Sequence, residues 1–278
     1  MKRILSFTLT LVLVLGLFCG IALADDGTKV YVTIADKDGK LVLVQEAITV
    51  TDIDSDGKLT INDALYCAHE AKFEGGAAAG YLSEMTEYGL SLKKLWGTDN
   101  GSGYGYDVNN EGAMSLSDEV KNGAYVTAFI YTDTETWSDT YCFFDKRTAS
   151  AKAGDEVALT LSSVGYDASY NRVISPVGNA NITLNGKAVD TKTDADGKIT
   201  LKFTDAGTYV ISASSDSVNL VPPACVITIE KAAEEVPPVD APITDAPATG
   251  DTAALAILAL VAVGALGVII VVKRSREA

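Results

Sequence analysis

The segment TDADGKITLKFTDAGTYVISA, residues 193–213, decides the fold class of the C-terminal half of the chain. Short runs rich in β-branched and aromatic residues alternate in it with glycine-containing turn signals, a pattern typical of short antiparallel strands. The runs at 154–165, 179–189 and 224–230 continue the pattern on both sides. Short strands at regular spacing predict a β-sandwich over residues 146–230. We expect hairpin turns at Asn185-Gly186 and at Asp196-Gly197.

The residues before this half, 28–145, combine strand and helix patterns. KVYVTIADKDGKLVLVQ, residues 29–45, alternates apolar positions around an Asp-Gly pair and predicts a hairpin. The segment from Ile61 to Phe73 places Ile61, Leu65 and Ala68 on one face, with two glycines just past its end, and predicts a helix. Residues 80–105 are glycine-rich and looser, and strands return at 124–131 and 139–144. The predicted fold class is therefore mostly β with one short helix (α+β).

An acidic segment, DIDSDGKLTIND at residues 52–63, lies between the hairpin and the helix. Ca²⁺ binds about six to eight oxygen atoms, which a loop of about twelve residues supplies from alternate positions, with glycine at the sharp turn. Gly57 stands at that turn and Leu59 at the apolar position of such loops. The predicted ligands are the side chains of Asp52, Asp54, Asp56, Thr60 and Asp63 and the carbonyl of Lys58. The alternative is a polar turn whose aspartates cap the helix.

Two other segments share the D-x-D-G core, at 36–39 and 194–197. Aligned on that core, their first loop positions are Ile34 and Lys192, and their last are Gln45 and Phe203. Neither set closes a calcium site, since both ends lack a carboxylate. We interpret both segments as hairpin turns.

Residues 52–71 resemble one half of a dockerin, the calcium-dependent module that binds cohesins. Dockerins carry two such repeats, whereas this chain has one and its next residues are rich in glycine and alanine. We therefore interpret the loop as a structural calcium site, with dockerin-like assembly as the least favoured function. The segment 193–213 resembles immunoglobulin-like modules of bacterial surface proteins, in which the sandwich is mostly a spacer.

Residues 28–145 as a whole resemble bacterial extracellular modules related to the C-terminal domain of transcobalamin and intrinsic factor. The likeness is carried by DALYCAHEA at 63–71, GYGYDVN at 103–109 and VKNGAYV at 120–126. It implies a β-grasp-like fold and, in some members, binding of cobalamin.

Aromatic residues near the glycine-rich segments form a candidate ligand face. Stacked aromatic rings bind sugars or planar ligands, and the alternative is that they fill a β-rich core with only their polar ends in water. The candidates are Trp96, Tyr104, Tyr106, Tyr131, Trp137 and Tyr141.

Both ends of the chain carry targeting signals. Residues 1–24 have two basic residues, an apolar run and the exit Ala22-Leu23-Ala24, which predicts a secretory signal peptide. At the other end, residues 253–272 form an uncharged apolar run long enough to span a bilayer, and 273–278 form a basic tail that stays cytoplasmic.

The segment just before the apolar run, Ala246-Pro247-Ala248-Thr249-Gly250, completes an order that resembles the cell-wall sorting signal of Gram-positive surface proteins. The resemblance implies that a sortase cleaves the Thr249-Gly250 bond and joins Thr249 to a cell-wall peptide. Ala246 departs from the commonest motif, which has leucine. The alternative is a plain single-pass membrane protein. The proline-rich residues 231–249 are predicted to form a semi-extended stalk.

The remaining ectodomain, residues 25–249, is strongly acidic. Leaving out the two N-terminal cations and the net single positive charge after residue 249 changes the formal charge from −15 to −18. This argues against nucleic acid as a partner, because phosphate binding needs lysine and arginine. Three cysteines remain, Cys67, Cys142 and Cys225. A Cys67–Cys142 bridge fits the sequence, and buried thiols are the preferred interpretation.

No arrangement for catalysis stands out in the sequence. The single histidine, His69, lies on the predicted helix, where we expect it to be exposed or half-buried, and nothing near it is placed as a nucleophile. We expect a non-enzymatic, wall-anchored calcium-binding protein that acts in binding or adhesion to an unidentified extracellular ligand. Surface capture of a small ligand such as a cobalamin-like corrinoid is the alternative.

Overall fold

The computed structural model describes residues 27–231 except 100 and 102. Within them the chain is mostly β, as the sequence predicts, with two helices, α1 (Ile61–Lys72) and α2 (Gly76–Gly80). The strands in chain order are β1 (Thr28–Ala35), β2 (Leu41–Val50), β3 (Leu82–Thr86), β4 (Gly89–Leu95), β5 (Thr98–Asp99), β6 (Tyr104–Val108), β7 (Glu111–Gly112), β8 (Tyr125–Ile130), β9 (Cys142–Phe144), β10 (Thr148–Lys152), β11 (Glu156–Tyr166), β12 (Arg172–Pro176), β13 (Asn181–Leu184), β14 (Lys187–Lys192), β15 (Lys198–Lys202), β16 (Gly207–Ser214) and β17 (Cys225–Glu230).

The N-terminal sheet has the strand order β2-β1-β8-β6-β7. Its central pair, β1 and β8, is parallel, and the other pairs are antiparallel. Helix α1 packs against β1 and β2. The predicted apolar face of the helix is confirmed, because Ile61, Leu65 and Ala68 are fully buried in the same cluster as Val30, Val32 and other strand residues. Burial of this stripe holds the helix on the sheet.

The glycine-rich segment after α1 is more regular than the sequence indicates. Gly75 and Gly76, expected to lie past the only helix, lead into α2, which makes two helices where one was predicted. Strands β3, β4 and β5 then form a separate three-stranded antiparallel sheet. Strand β3 is largely exposed, so it lacks the alternation of buried residues that marks a strand in a sequence.

Two sheets share the C-terminal core. One has the order β10-β17-β16-β13-β14, and the other has the order β12-β11-β15 with β9 also paired to β11. Leu159 and Leu161 of β11 lie in the same buried cluster as Ile182, Ile211 and Ile227 of the other sheet. Two sheets that enclose one core are the arrangement of a sandwich.

One predicted hairpin in this half is confirmed and the other is wrong. Asn185 and Gly186 join β13 to β14, which pair with each other. Asp194–Gly197 also forms a tight turn, but the strands on its two sides lie in different sheets: β14 pairs with β13, and β15 pairs with β11. The turn therefore carries the chain from one sheet to the other, because the apolar faces of both sheets need a partner across the core.

The remaining sequence predictions divide into those that fall on described residues and those that do not. Cys67, Cys142 and Cys225 are free, the last two are buried, and no disulfide joins the described cysteines. No helix in the described part is long and apolar enough to cross a membrane. The signal peptide at 1–24, the sorting motif at 246–250, the apolar run at 253–272, the tail at 273–278 and the stalk beyond Lys231 lie outside the described residues.

Candidate metal centre and aromatic surface

The acidic loop leads from the end of β2 into α1. Thr60 is the N-cap of the helix, and Asp63 completes a capping box with it. The Asp63 carboxylate accepts hydrogen bonds from the amides of Ile53 (3.0 Å) and Thr60 (2.8 Å) and from the Thr60 hydroxyl (2.6 Å). Asp63 is almost fully buried. The capping function weighed as the alternative for this loop is thus present, and it involves Asp63 alone among the predicted acidic ligands.

Three carboxylates converge above this cap. Oxygen atoms of Asp52, Asp54 and Asp63 all lie within 4.8 Å of one another. Oxygens around a shared Ca²⁺ sit at about 2.3–2.6 Å from it, so two of them are at most about 5 Å apart. The spacing therefore fits one hard cation, which would replace repulsion among the three charges with coordination.

The other predicted ligands are only partly brought together. Asp56 is not a member of the converging group, and its carboxylate accepts the Lys58 amide at 2.8 Å. The Lys58 ammonium lies 3.5 Å from Glu119. Thr60 contributes its hydroxyl to Asp63. The structure thus brings together the carboxylates at loop positions 1, 3 and 12. Asp56, at position 5, forms hydrogen bonds within the loop instead.

Asp52, which is half-buried, and Asp54, which is exposed, differ in their electrostatics. The Gly57 amide, which donates to Asp52 at 2.8 Å, is the main cause that holds the pKa of Asp52 below its ordinary value. The pKa of Asp54 is raised, first by desolvation and then by repulsion from Asp56, with a further contribution from Asp63. Asp54 is therefore the group whose charge most needs a cation nearby.

The exit of the loop is fixed to the segment between β7 and β8. The Val120 amide donates to the Leu59 carbonyl at 2.8 Å, and the Ile61 amide donates to the Asp118 carbonyl at 3.0 Å. Leu59 packs against the N-terminal core. Ordering of the loop is thereby coupled to the fold around it rather than confined to an exposed turn.

The first three candidate aromatics serve mainly as packing residues. Trp96 packs against Phe73 and His69, with ring centroids 5.2 Å away in both cases. Tyr104 is buried, and its hydroxyl donates to the carbonyls of Lys93 (2.7 Å) and Thr98 (3.0 Å). Tyr106 is half-buried against the same core. These residues match the core interpretation of the candidate face.

The other three candidates belong to one continuous series of rings. Trp137 meets Tyr131 edge to face at 5.2 Å, Tyr131 meets Phe129 at 5.3 Å, and Phe129 meets Tyr141 at 6.2 Å. Tyr141 donates to the Asn110 side chain at 3.1 Å. Trp137, at the end of the series, is 51% exposed.

The expectation that His69 is exposed or half-buried is wrong. Its side chain is fully buried, Nδ1 lies 2.6 Å from the Leu65 carbonyl, and Nε2 accepts the Trp96 amide at 2.9 Å. Desolvation lowers its pKa to about 4, so the ring is neutral. Because both nitrogens are engaged with the backbone, His69 ties α1 to the end of β4.

Sequence reasoning also missed a pair that joins the two halves. Arg172 donates to the Asn110 carbonyl at 2.6 Å and lies 3.3 Å from Glu111, while its buried Nε atom has no hydrogen-bond partner among the described residues. Burial raises the pKa of the nearby Asp107 to about 6, against the attraction of Arg172. Arg172 and its partners are about 60 positions apart in the chain, so no local sequence pattern predicts their contact.

Comparison with known proteins identifies no family for this chain. No protein-family model matches the chain, and no curated protein matches it. Among solved structures, the D0-D1 domain of intimin is 20% identical over 54% of this chain and 80% of its own, with a TM-score of 0.24. The four N-terminal immunoglobulin domains of Dscam1 isoform 4.44 are 12% identical over 73% of this chain, with a TM-score of 0.22. This chain spans 44% of that Dscam1 chain. TM-scores this low carry no argument about fold or function.

Proposed function

We propose that the chain is an extracellular binding or adhesion protein whose acidic loop is ordered by calcium. The observation that carries the proposal is the convergence of Asp52, Asp54 and Asp63 within 4.8 Å at the entrance to α1. A cation there would neutralise the repulsion that raises the pKa of Asp54. Through the capping box and the contacts of Leu59, it would stabilise both the helix start and the segment packed on it.

The proposal includes two structural units: a β-grasp-like head over 28–145 that contains the loop, and an immunoglobulin-like sandwich over 146–230. The first is supported by a five-stranded mixed sheet with a central parallel pair and one helix across it. The second is supported by two sheets that share one core. Strand β9 belongs to the head by sequence but pairs with β11, so it links the two units.

The proposed location is the cell wall, reached through a signal peptide at 1–24 and sortase transfer at Thr249-Gly250. The support is the order of motif, apolar run and basic tail in the sequence. We propose further that the protein is not an enzyme. This is supported by the internal position of its single histidine, whose two ring nitrogens are both engaged with the backbone.

Thermal unfolding of residues 25–249 in millimolar calcium and in excess chelator tests the calcium part. A dissociation constant of about 10⁻⁴ M would stabilise the fold by about 2 kcal/mol at a few millimolar calcium, which raises the Tm by about 4–8 °C. Asp54→Asn should remove this response. In chelator the same variant should be at least as stable as the wild type, because the asparagine relieves the repulsion from Asp56 and Asp63.

Asp194→Asn is the matched control, since Asp194 occupies the position of Asp54 in a D-x-D-G turn that lacks the first and last carboxylates of the loop. It should leave the calcium response intact. Equal Tm values with calcium and with chelator in the wild type would refute the calcium site and leave the loop as a helix cap.

A further inference from the structure

The segment between β8 and β9, residues 131–141, presents Trp137 to solvent on an unusually well-fixed loop. The Asp133 carboxylate accepts hydrogen bonds from the amides of Glu135, Thr136 and Ser138 and from the hydroxyls of Thr136 and Ser138. The Asp139 carboxylate accepts from the amides of Thr132 and Asp133 and from the Thr132 hydroxyl. Two side chains therefore fix the whole course of the loop.

The base of the loop is fixed to the C-terminal half as well. The Asn219 side chain donates to the Thr132 hydroxyl at 2.7 Å, and the Thr140 amide donates to the Asn219 carbonyl at 2.7 Å. Thr140 also forms a parallel bridge with Leu220. The loop is thus a rigid support rather than an unconstrained connection.

On this support Trp137 adopts a backbone conformation that favours glycine. Its φ is +56°, in the left-handed region that bulky residues rarely adopt. Such strain persists where the surroundings impose it, and it concentrates at sites that bind or react. The indole contacts Tyr131 edge to face at an interplanar angle of 79° and remains 51% exposed. Trp96 has a positive φ as well, +48°, but packs against His69 and Phe73, so the exposure of Trp137 is what makes it the candidate for binding.

The charge around Trp137 indicates the kind of ligand. Residues 131–141, the loop itself, contain Asp133, Glu135 and Asp139 and no lysine or arginine. The next basic side chains along the chain are engaged elsewhere, Lys146 with the Ala158 carbonyl and Arg147 with the Tyr125 ring. The hydrogen bonds to Asp133 hold the pKa of that carboxyl far below its ordinary value, so it stays charged. The β1–β2 turn beside Thr132, residues 36–40, carries two lysines and two aspartates and adds no net charge.

We infer that Trp137, with Tyr131 at its side, is a binding platform for an organic cation, a protonated or quaternary amine of an extracellular ligand. The face of an indole attracts a cation placed within about 6 Å of its centroid, and the surrounding carboxylates add a negative field. A neutral sugar would gain nothing from that field. This inference rests on the binding role proposed above and specifies its ligand class, but it does not depend on calcium.

Saturation-transfer NMR on the methyl protons of choline, with the full chain in non-ionic detergent, tests the inference. Wild-type protein should bind choline with a dissociation constant on the order of millimolar and bind it more weakly as salt rises. The neutral analogue, in which a tert-butyl group replaces the trimethylammonium group, should bind about tenfold more weakly. Equal binding of the two, or binding of N-acetylglucosamine in preference to choline, overturns the assignment to a cation.

Variants separate binding from folding. Trp137→Gly should lose choline binding and keep its Tm within a few degrees, because glycine relieves the positive φ. Glu135→Gln should weaken binding about twofold, and Tyr88→Ala, which removes a 91% exposed ring on another hairpin, should not. Retained binding in Trp137→Gly overturns the inference. Loss of its unfolding transition does so too, because Trp137 would then be a structural residue. Failure of choline to bind while calcium still raises the Tm overturns this inference alone.

Discussion

The sequence D-x-D-G occurs three times in the chain, and comparison of the three copies shows what separates a turn from a cation site. In the turns at 36–39 and 194–197, the first aspartate accepts the amides two and four residues later. For Asp36 both distances are 2.9 Å, and for Asp194 they are 2.9 and 2.8 Å. The carboxylate oxygen that makes these bonds is committed to the turn itself.

In the loop at 52–63, the equivalent backbone amides donate to different carboxylates. Asp54, which aligns with Asp36 and Asp194, accepts the Asp56 amide at 3.3 Å, and the same amide also donates to Asp52 at 3.2 Å. The Lys58 amide donates to Asp56, and the Gly57 amide donates to Asp52. Asp56 thus takes the amide four residues after Asp54. Asp52, the extra aspartate two residues before the shared core, shares the amide of Asp56, and Asp54 is left to converge with Asp52 and Asp63. A difference outside the repeated core decides its chemistry.

The largest effect that tests this comparison is expected from Asp63→Ala. Asp63 is almost fully buried and accepts three hydrogen bonds. Its removal leaves buried donors unpaired and destroys the capping box, which should cost about 3 kcal/mol of unfolding free energy even in chelator. The calcium response should vanish as well. Urea unfolding with and without calcium measures both losses.

Asp194→Ala is the matched change in a turn. Asp194 is exposed, so the loss of its two amide bonds should cost about 1 kcal/mol and leave the calcium response unchanged. Equal losses of unfolding free energy in Asp63→Ala and Asp194→Ala would contradict the distinction between the cation site and the turn.

Substitution of the glycine in the shared core should give an effect of similar size, but here the turn should be the more sensitive of the two segments. Gly57 and Gly197 both have positive φ, +84° and +75°. A Cβ on Gly57 meets nothing within 4 Å, whereas one on Gly197 would lie 2.3 Å from the Leu161 carbonyl oxygen. Gly57→Ala should cost about 1 kcal/mol from backbone strain alone, and Gly197→Ala about 3 kcal/mol because the sandwich must also shift. Urea unfolding of the two variants in chelator measures the difference. A Gly57→Ala cost equal to that of Gly197→Ala would mean that the loop is packed as tightly as the turn.

What the sequence predicts well in this chain is local. The β1–β2 hairpin, the start of α1 and the loop between them depend on residues a few positions apart, and the structure has β1, β2 and α1 close to where the patterns indicate. The wrong predictions concern distant partners. The turn at 194–197 has the sequence of a hairpin, but its strands pair in different sheets, and His69 is buried because Trp96, 27 residues later, packs over it. The candidate aromatics could not be sorted by periodicity, since Trp96 and Trp137 differ only in what the fold brings against them.

The smallest effect is a pH dependence that should separate the loop from the rest of the molecule. The raised pKa of Asp54 in the metal-free fold means that its stabilising contribution is full below the unfolded-state pKa and is lost as pH rises through the folded one. Bound calcium gives the opposite pH dependence. It binds the deprotonated Asp54 carboxylate, and protons compete with it for that group. The difference in Tm between calcium and chelator should therefore shrink as pH falls from about 6 to 4.

Asp107 also titrates near the upper end of this pH range. Its contribution to stability cancels when the Tm in chelator is subtracted from the Tm in calcium. Its pKa is raised to about 6 by burial, so it adds stability that is lost as pH rises through that value. The change is the same with calcium and with chelator, because Asp107 is not among the carboxylates that converge in the loop. In Asp54→Asn the two Tm curves should coincide at every pH, and in Asp107→Asn their separation should stay as in the wild type. A separation that persists in Asp54→Asn would place the calcium response outside the loop and remove the distinction between it and the two turns.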